Sequence, residues 1–177
     1  SAVDFIMSPQ QRRGYDDLTN AVRNGGSLVK GDALDPNSPM WVTFAKAMMP
    51  LMFPAAQAIA GHIGLDKESE LKVLDIAAGH GIFGIAAAQA YPNAQVHAVD
   101  WANVLSVATE NAERMGVADR YHLIEGDAFE VDFGKDFDVV LVTNFLHHFD
   151  IATCTTFMKK VFDSLKPGGR AFTLEFV

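Results

Sequence analysis

The stretch LKVLDIAAGHGIFG, Leu71 to Gly84, decides the fold. Its first eight residues, Leu71 to Ala78, are almost wholly apolar, which predicts a short strand buried on both faces. Gly79-His80-Gly81-Ile82-Phe83-Gly84 follows, a G-x-G-x-x-G run that opens a small-residue helix, Ile82 to Tyr91, stopped by Pro92-Asn93. A strand passing through glycines into a helix is the first half of a crossover, and the rest of the chain repeats it. Gln95 to Asp100 reads as a second strand and Trp101 to Met115 as a helix closed by Gly116. Tyr121 to Glu125 and Phe137 to Thr143 are the third and fourth strands. Asp150 is placed to cap a helix whose stripe is Ile151, Cys154, Phe157, Val161 and Leu165. Pro167-Gly168-Gly169 then turns the chain into a fifth strand, Arg170 to Val177. This alternation predicts an α/β fold: a doubly wound, mostly parallel sheet in three α/β/α layers.

Upstream of Leu71 the pattern changes. Ser1 to Met7 carries no clear signal. Pro9 to Asn24 reads as a helix with Tyr15, Leu18 and Val22 at helical spacing and Gly25-Gly26 as its stop. Ser27 to Asn37 has the Gly, Asp and Pro content of a linker. Ser38 is an N-cap with Pro39 at the first helical position. Met40 to Ala60 is apolar on nearly every face, with Pro50 and Pro54 expected to kink or split it. Its Met- and aromatic-rich part, Met40 to Phe53, suits core or interface packing, the favoured reading, or the wall of an aromatic pocket.

The 177 residues are one domain's worth. With 22 acidic against 14 basic residues the net charge is −8, which argues against a general nucleic-acid binder and against docking on anionic membranes. Hydrophobic residues make up 49% of the chain, enough for a core. Cys154 is the single cysteine, so neither an internal disulfide nor a thiolate cluster is expected. The six histidines form no H-x-x-x-H pair near acids, so no metal site is expected. No apolar run reaches bilayer length and no leader pattern opens the chain, so a cytoplasmic protein is expected.

Ligands of such sheets bind beyond the carboxyl ends of the strands. Gly79 and Gly81 allow close backbone approach there, and Asp100, ending the second strand, is placed for ribose hydroxyls. These features fit a nicotinamide dinucleotide as well as a sulfonium nucleoside. Asp75 inside the first strand suits a cationic ligand and repels a diphosphate. Gly126-Asp127 follows the third strand, where a carboxylate accepts from an adenine amino group, and LKPGG precedes the fifth.

Together these five ordered features, from Leu71 to Val177, resemble the class I S-adenosylmethionine-dependent methyltransferases. Ala77 stands where that family often has its first glycine; its backbone still allows contact. The resemblance implies S-adenosylmethionine as cofactor, S-adenosylhomocysteine as product, and Asp75, Ala77, Gly79, Gly81, Asp100, Trp101, Asp127, Ala128, Thr143 and Asn144 as the cofactor-binding set. Thr143 replaces the family's usual lysine.

Thr143-Asn144-Phe145-Leu146-His147-His148-Phe149 further resembles the catalytic segment of small-molecule O-methyltransferases, the plant caffeic-acid type and its antibiotic-tailoring relatives. That resemblance implies His147 as general base, Glu175 on the fifth strand as the acid that orients it, and an aromatic or polyketide-like hydroxyl as acceptor. A solvated Glu175 is the alternative reading. His148 is assigned to structure, His80 to the loop surface and Cys154 to inert core. It also implies that residues 1–37 are a linker or helical remnant after a further domain, and that 38–177 is a cofactor-binding catalytic domain lacking its last strands. Any homodimer is then expected mainly through parts absent from this chain. The rival functions are an NAD(P)-dependent oxidoreductase and a cofactor-binding domain without methyl transfer.

Overall fold

Apolar strand residues alternate between two helical layers, and that alternation builds the molecule. A computed structural model of the chain describes residues 2–7, 12, 15–26 and 38–176. Its elements run α1 (Ala2–Ile6), α2 (Leu18–Asn24), α3 (Pro39–His62), β1 (Lys72–Ile76), α4 (Ile82–Ala90), β2 (Gln95–Asp100), α5 (Ala102–Arg114), β3 (Tyr121–Glu125), β4 (Phe137–Thr143), α6 (Ile151–Ser164) and β5 (Leu165–Leu174). Single 3-10 turns occupy Ala118–Arg120 and Leu146–His148.

The sheet is all parallel, in the order β3-β2-β1-β4-β5, as the doubly wound pattern requires. Val73, Val96, Ala98, Val139 and Leu141 point to one face, where Met52 and Ala56 of α3, Ile82 and Ile85 of α4, and Leu105 and Ala108 of α5 pack on them. Leu74, Ile76, Val99, Val140 and Val142 point to the other, against Phe157 and Val161 of α6 and Phe133. β4 is buried along its whole length, as expected for a central parallel strand. Strand order reverses between β1 and β4, and there the carboxyl ends part to leave a crevice.

Several boundaries differ from expectation. Ser1–Met7, silent in sequence, includes α1, whose Phe5 ring lies 5.2 Å from that of Phe44. The helix expected over Pro9 to Asn24 is not continuous: residues 15–17 form a turn, and α2 starts only at Leu18, capped by Asp17 and closed by Gly25 at φ 74°; Pro9 and the linker 27–37 lie outside the described residues. Ser38 caps α3 as expected, accepting from the Met40 N–H. Pro50 and Pro54 do not split α3. Both are exposed and four residues apart, so the carbonyls they leave unbonded, those of Lys46 and Pro50, sit on the solvent face where water can serve them. Ile151 is 87% exposed, because α6 meets the core only from Phe157 onward. β5 begins at Leu165 rather than Arg170: the Lys166–Gly169 turn is held as an irregularity, with Phe137 opposite Leu165 and Val139 opposite Arg170. Glu175 therefore lies one residue beyond β5.

Candidate active site

The crevice over the carboxyl ends of β1, β2 and β4 has two adjoining lobes. One, of about 480 Å³, is lined by Asp100, Trp101, Asp127, Ala128 and Phe129. The other, of about 420 Å³, is lined by Met40, Met48, Met52, Phe83, His80, Thr143 and His147. Trp41, Phe44, Ala45, Ala77, Gly79, Asn144 and His148 border both. Helix α3 thus supplies an apolar wall as well as packing, a role ranked second in its sequence reading.

The glycine loop is organised by two carboxylates. Asp100 accepts from the Gly79 N–H (2.8 Å) and the Trp101 N–H (2.7 Å). Burial pushes its pKa up to about 6 against the lowering effect of those two donors. Asp75 shares the face of Val73 and so points at α4. It is fully buried, lines neither lobe, and accepts from the Gly84 N–H at 2.9 Å. Gly81 also lies beneath the loop: a Cβ there would stand 2.7 Å from the Tyr121 hydroxyl, and one on Gly84 2.8 Å from Asp75 Oδ2. Expected at the cofactor, Asp75 and Gly81 instead brace the loop from below. His80, expected at the loop surface, is 7% exposed. Its Nδ1 accepts from the Ile82 N–H (3.2 Å), and its carbonyl accepts from Asn111. The first and third amides of α4, Ile82 and Gly84, are therefore already bonded to side chains. A diphosphate seated on a helix N-terminus needs such amides free.

Ala77 adopts φ 52°, a left-handed conformation that costs a non-glycine residue free energy. Asn144 does the same at φ 52°; its N–H donates to the Leu174 carbonyl and its Nδ2 contacts Met52 Sδ, while its Oδ1 is buried without a partner. Thr143 is buried on the wall of the second lobe. Around the first lobe, Asp127 accepts from the Phe129 N–H at 2.8 Å. The same loop is held by a residue sequence reasoning missed. Lys160 of α6 donates to the carbonyls of Ala128 (2.8 Å), Phe129 (3.0 Å) and Val131 (2.6 Å). Its signal was present: Lys160 stands three residues after Phe157, on the side of α6 that turns inward.

At the other end of the crevice, His147 Nδ1 lies 2.6 Å from Glu175 Oε2, and Glu175 Oε1 accepts from the N–H groups of Phe145 (3.0 Å) and Leu146 (2.8 Å). Burial pushes the Glu175 carboxyl up, but the hydrogen bonds from His147, Leu146 and Phe145 outweigh it and hold it below the ordinary value. An ionised Glu175 only accepts, so the Nδ1 that faces it carries a proton. The solvated reading of Glu175 is thereby corrected. His148 packs 4.1 Å from the His147 ring and edge-on to Trp41. Burial, then His147, lowers its pKa, against a smaller opposing pull from Glu175. Cys154 is half-buried with its Sγ 3.3 Å from the Leu146 carbonyl, steadying the turn that carries His147.

The crevice is lined by Asp100 and Asp127 and, among the described residues, by no lysine or arginine. That charge fits a cationic sulfur nucleoside and opposes a diphosphate.

Residues 73–169, more than half of the chain, match a family model described as a methyltransferase domain. The chain belongs to the methyltransferase family. Its methyl donor is S-adenosylmethionine, and the oxidoreductase alternative falls with the family match; the use of the Ile82 and Gly84 amides within the loop agrees with that. A protein from Nostoc punctiforme PCC 73102 assigned as an O-methyltransferase is 51% identical, with a TM-score of 0.85 over 97% of this chain and 51% of that one. An O-methyltransferase family 2 protein from Planctomyces limnophilus, solved with apigenin, is 30% identical, with a TM-score of 0.60 over 73% of this chain and 42% of its own. The mitomycin biosynthesis 6-O-methyltransferase of Streptomyces lavendulae is 25% identical over 97% of this chain and 50% of its own length. The chain thus spans about half the length of these relatives. No helix among the described residues is long and apolar enough to cross a membrane.

Proposed function

We propose that the chain is the donor-binding core of an O-methyltransferase that methylates a hydroxyl of a small aromatic or polyketide-like molecule, with His147 as general base. The observation that carries this reading is His147, held 2.6 Å from Glu175, on the wall of a lobe that shares its border residues with the acid-lined one. The bound donor supplies a methyl group on a positively charged sulfur. Asp100, fixed by the Gly79 and Trp101 amides, takes the ribose hydroxyls, and Asp127 accepts from the adenine amino group. Trp101 and Ala128 wall that lobe. Thr143 and Asn144 lie where the two lobes approach each other, and Ala77 and Gly79 offer backbone to the same boundary.

In the second lobe, Met40, Trp41, Phe44, Met48 and Met52 offer apolar surface to a flat ring system. Glu175 holds the His147 ring through Nδ1, so Nε2 is the nitrogen left to take the acceptor's hydroxyl proton. The relatives named for O-methylation support the same reaction class.

His147→Ala is expected to lower kcat of methylation by about 10²–10⁴-fold while leaving the affinity for S-adenosylhomocysteine unchanged. Full activity in this variant, measured by methyl transfer to a panel of phenols, would leave a cofactor-binding protein without His147 chemistry.

A further inference from the structure

We infer that His80 is a binding residue of the donor site: its Nε2–H holds the carboxylate of the donor's amino-acid tail. This rests on the methyl-transfer reading above. The Ile82 N–H can only donate, so His80 Nδ1 must present its lone pair. In a neutral ring the proton then resides on Nε2. Burial keeps the ring neutral, lowering its pKa to about 4. The ring is held firmly: by Ile82 on one nitrogen, by the Phe83 ring at 5.9 Å, and by Asn111 on its backbone carbonyl.

Nε2 has no hydrogen-bond partner among the described residues. It nevertheless differs from the sealed, unpartnered oxygens of Asp75, Tyr121 and Asn144, which touch no open space. His80 lines the second lobe, so this fixed N–H donor is presented there. With the adenosine placed by Asp100 and Asp127, the amino-acid tail has to cross the boundary at Ala77 and Gly79 and enter the lobe beside His80. No lysine or arginine among the described residues lines that lobe, and the Ile82 and Gly84 amides are spent within the loop. A carboxylate arriving there meets His80, for which a charge-assisted hydrogen bond is available.

The test uses two ligands that differ in that tail: S-adenosylhomocysteine carries the carboxylate, and 5′-methylthioadenosine lacks it. His80→Asn keeps an oxygen that can accept from the amide two residues on and removes the distal donor. Calorimetry is expected to show S-adenosylhomocysteine binding weakened about tenfold, 5′-methylthioadenosine binding unchanged and the melting temperature preserved. His80→Gln, whose amide N–H reaches further, is expected to recover part of the loss. Equal affinity of the Asn variant and wild type for S-adenosylhomocysteine overturns the inference, as does equal weakening of both ligands, which would mark a purely structural role. If the Asn variant does not fold, His80→Gln against His80→Met makes the same comparison, with and without the donor. Wild type that binds 5′-methylthioadenosine and S-adenosylhomocysteine alike also overturns it. Wild type that binds neither contradicts the methyl-transfer reading itself.

Discussion

Asp75 and Ala77 sit two residues apart on one strand end, and each carries a cost that a single substitution removes. Folded Asp75 keeps its proton up to about pH 7, chiefly because burial disfavours the carboxylate, against an ordinary value of 3.8. Its contribution to stability is therefore complete below the ordinary value and is lost as pH rises through 7. Asp75→Asn retains an acceptor for the Gly84 N–H and removes the titration. At pH 8 it is expected to be more stable than wild type by on the order of 2–4 kcal/mol, with the advantage shrinking towards pH 4. Parallel unfolding curves at all pH values would contradict this account of Asp75. Ala77→Gly relieves the left-handed strain but adds chain entropy to the unfolded state, so a net gain of about 0.5 kcal/mol is expected in denaturant unfolding. A loss of about 1 kcal/mol, the usual result inside regular structure, would show that φ 52° costs nothing there. At this scale the strand ends placed Asp100 and Asp127 at the crevice, and the family resemblance, not spacing, pointed to His147 and Glu175, which stand 2.6 Å apart. The sequence was not legible where strand alternation decides which way a side chain turns, and that is why Asp75 lies beneath the loop.

Elements place these residues, and α6 does so through a lysine. Lys160 gathers three carbonyls of the loop that carries Asp127, Ala128 and Phe129. Burial lowers its pKa, while Asp127 and Asp132 pull it up. Lys160→Met leaves those carbonyls without their donor and frees the loop. Affinity for S-adenosylhomocysteine is expected to fall about fivefold or more, together with the melting temperature. Unchanged affinity in a folded variant would mean that the loop holds its shape without α6. Strand and helix order from Leu71 onward was readable because β1, β2 and β4 are short, mostly apolar runs, with glycine soon after β1 and Asp100 ending β2. Helix α3 was harder. Its prolines signal a break, and only the packed molecule shows that both lie on the wet face of an unbroken helix.

The molecule as a whole is a parallel sheet whose order reverses at β1 and β4, with a two-lobed crevice at that reversal. Its net charge of −8 and its two lining carboxylates set the sign of what enters. Glycine spacing alone left a dinucleotide and a sulfonium nucleoside equally served. The deciding fact is three-dimensional: His80 and Asp75 have already taken the helix amides that a diphosphate would use. A calorimetric titration of one preparation with S-adenosylhomocysteine and with NAD tests this most directly. Saturable binding of the thioether nucleoside with no heat from NAD is the predicted result; tight NAD binding beside a silent nucleoside titration would contradict it.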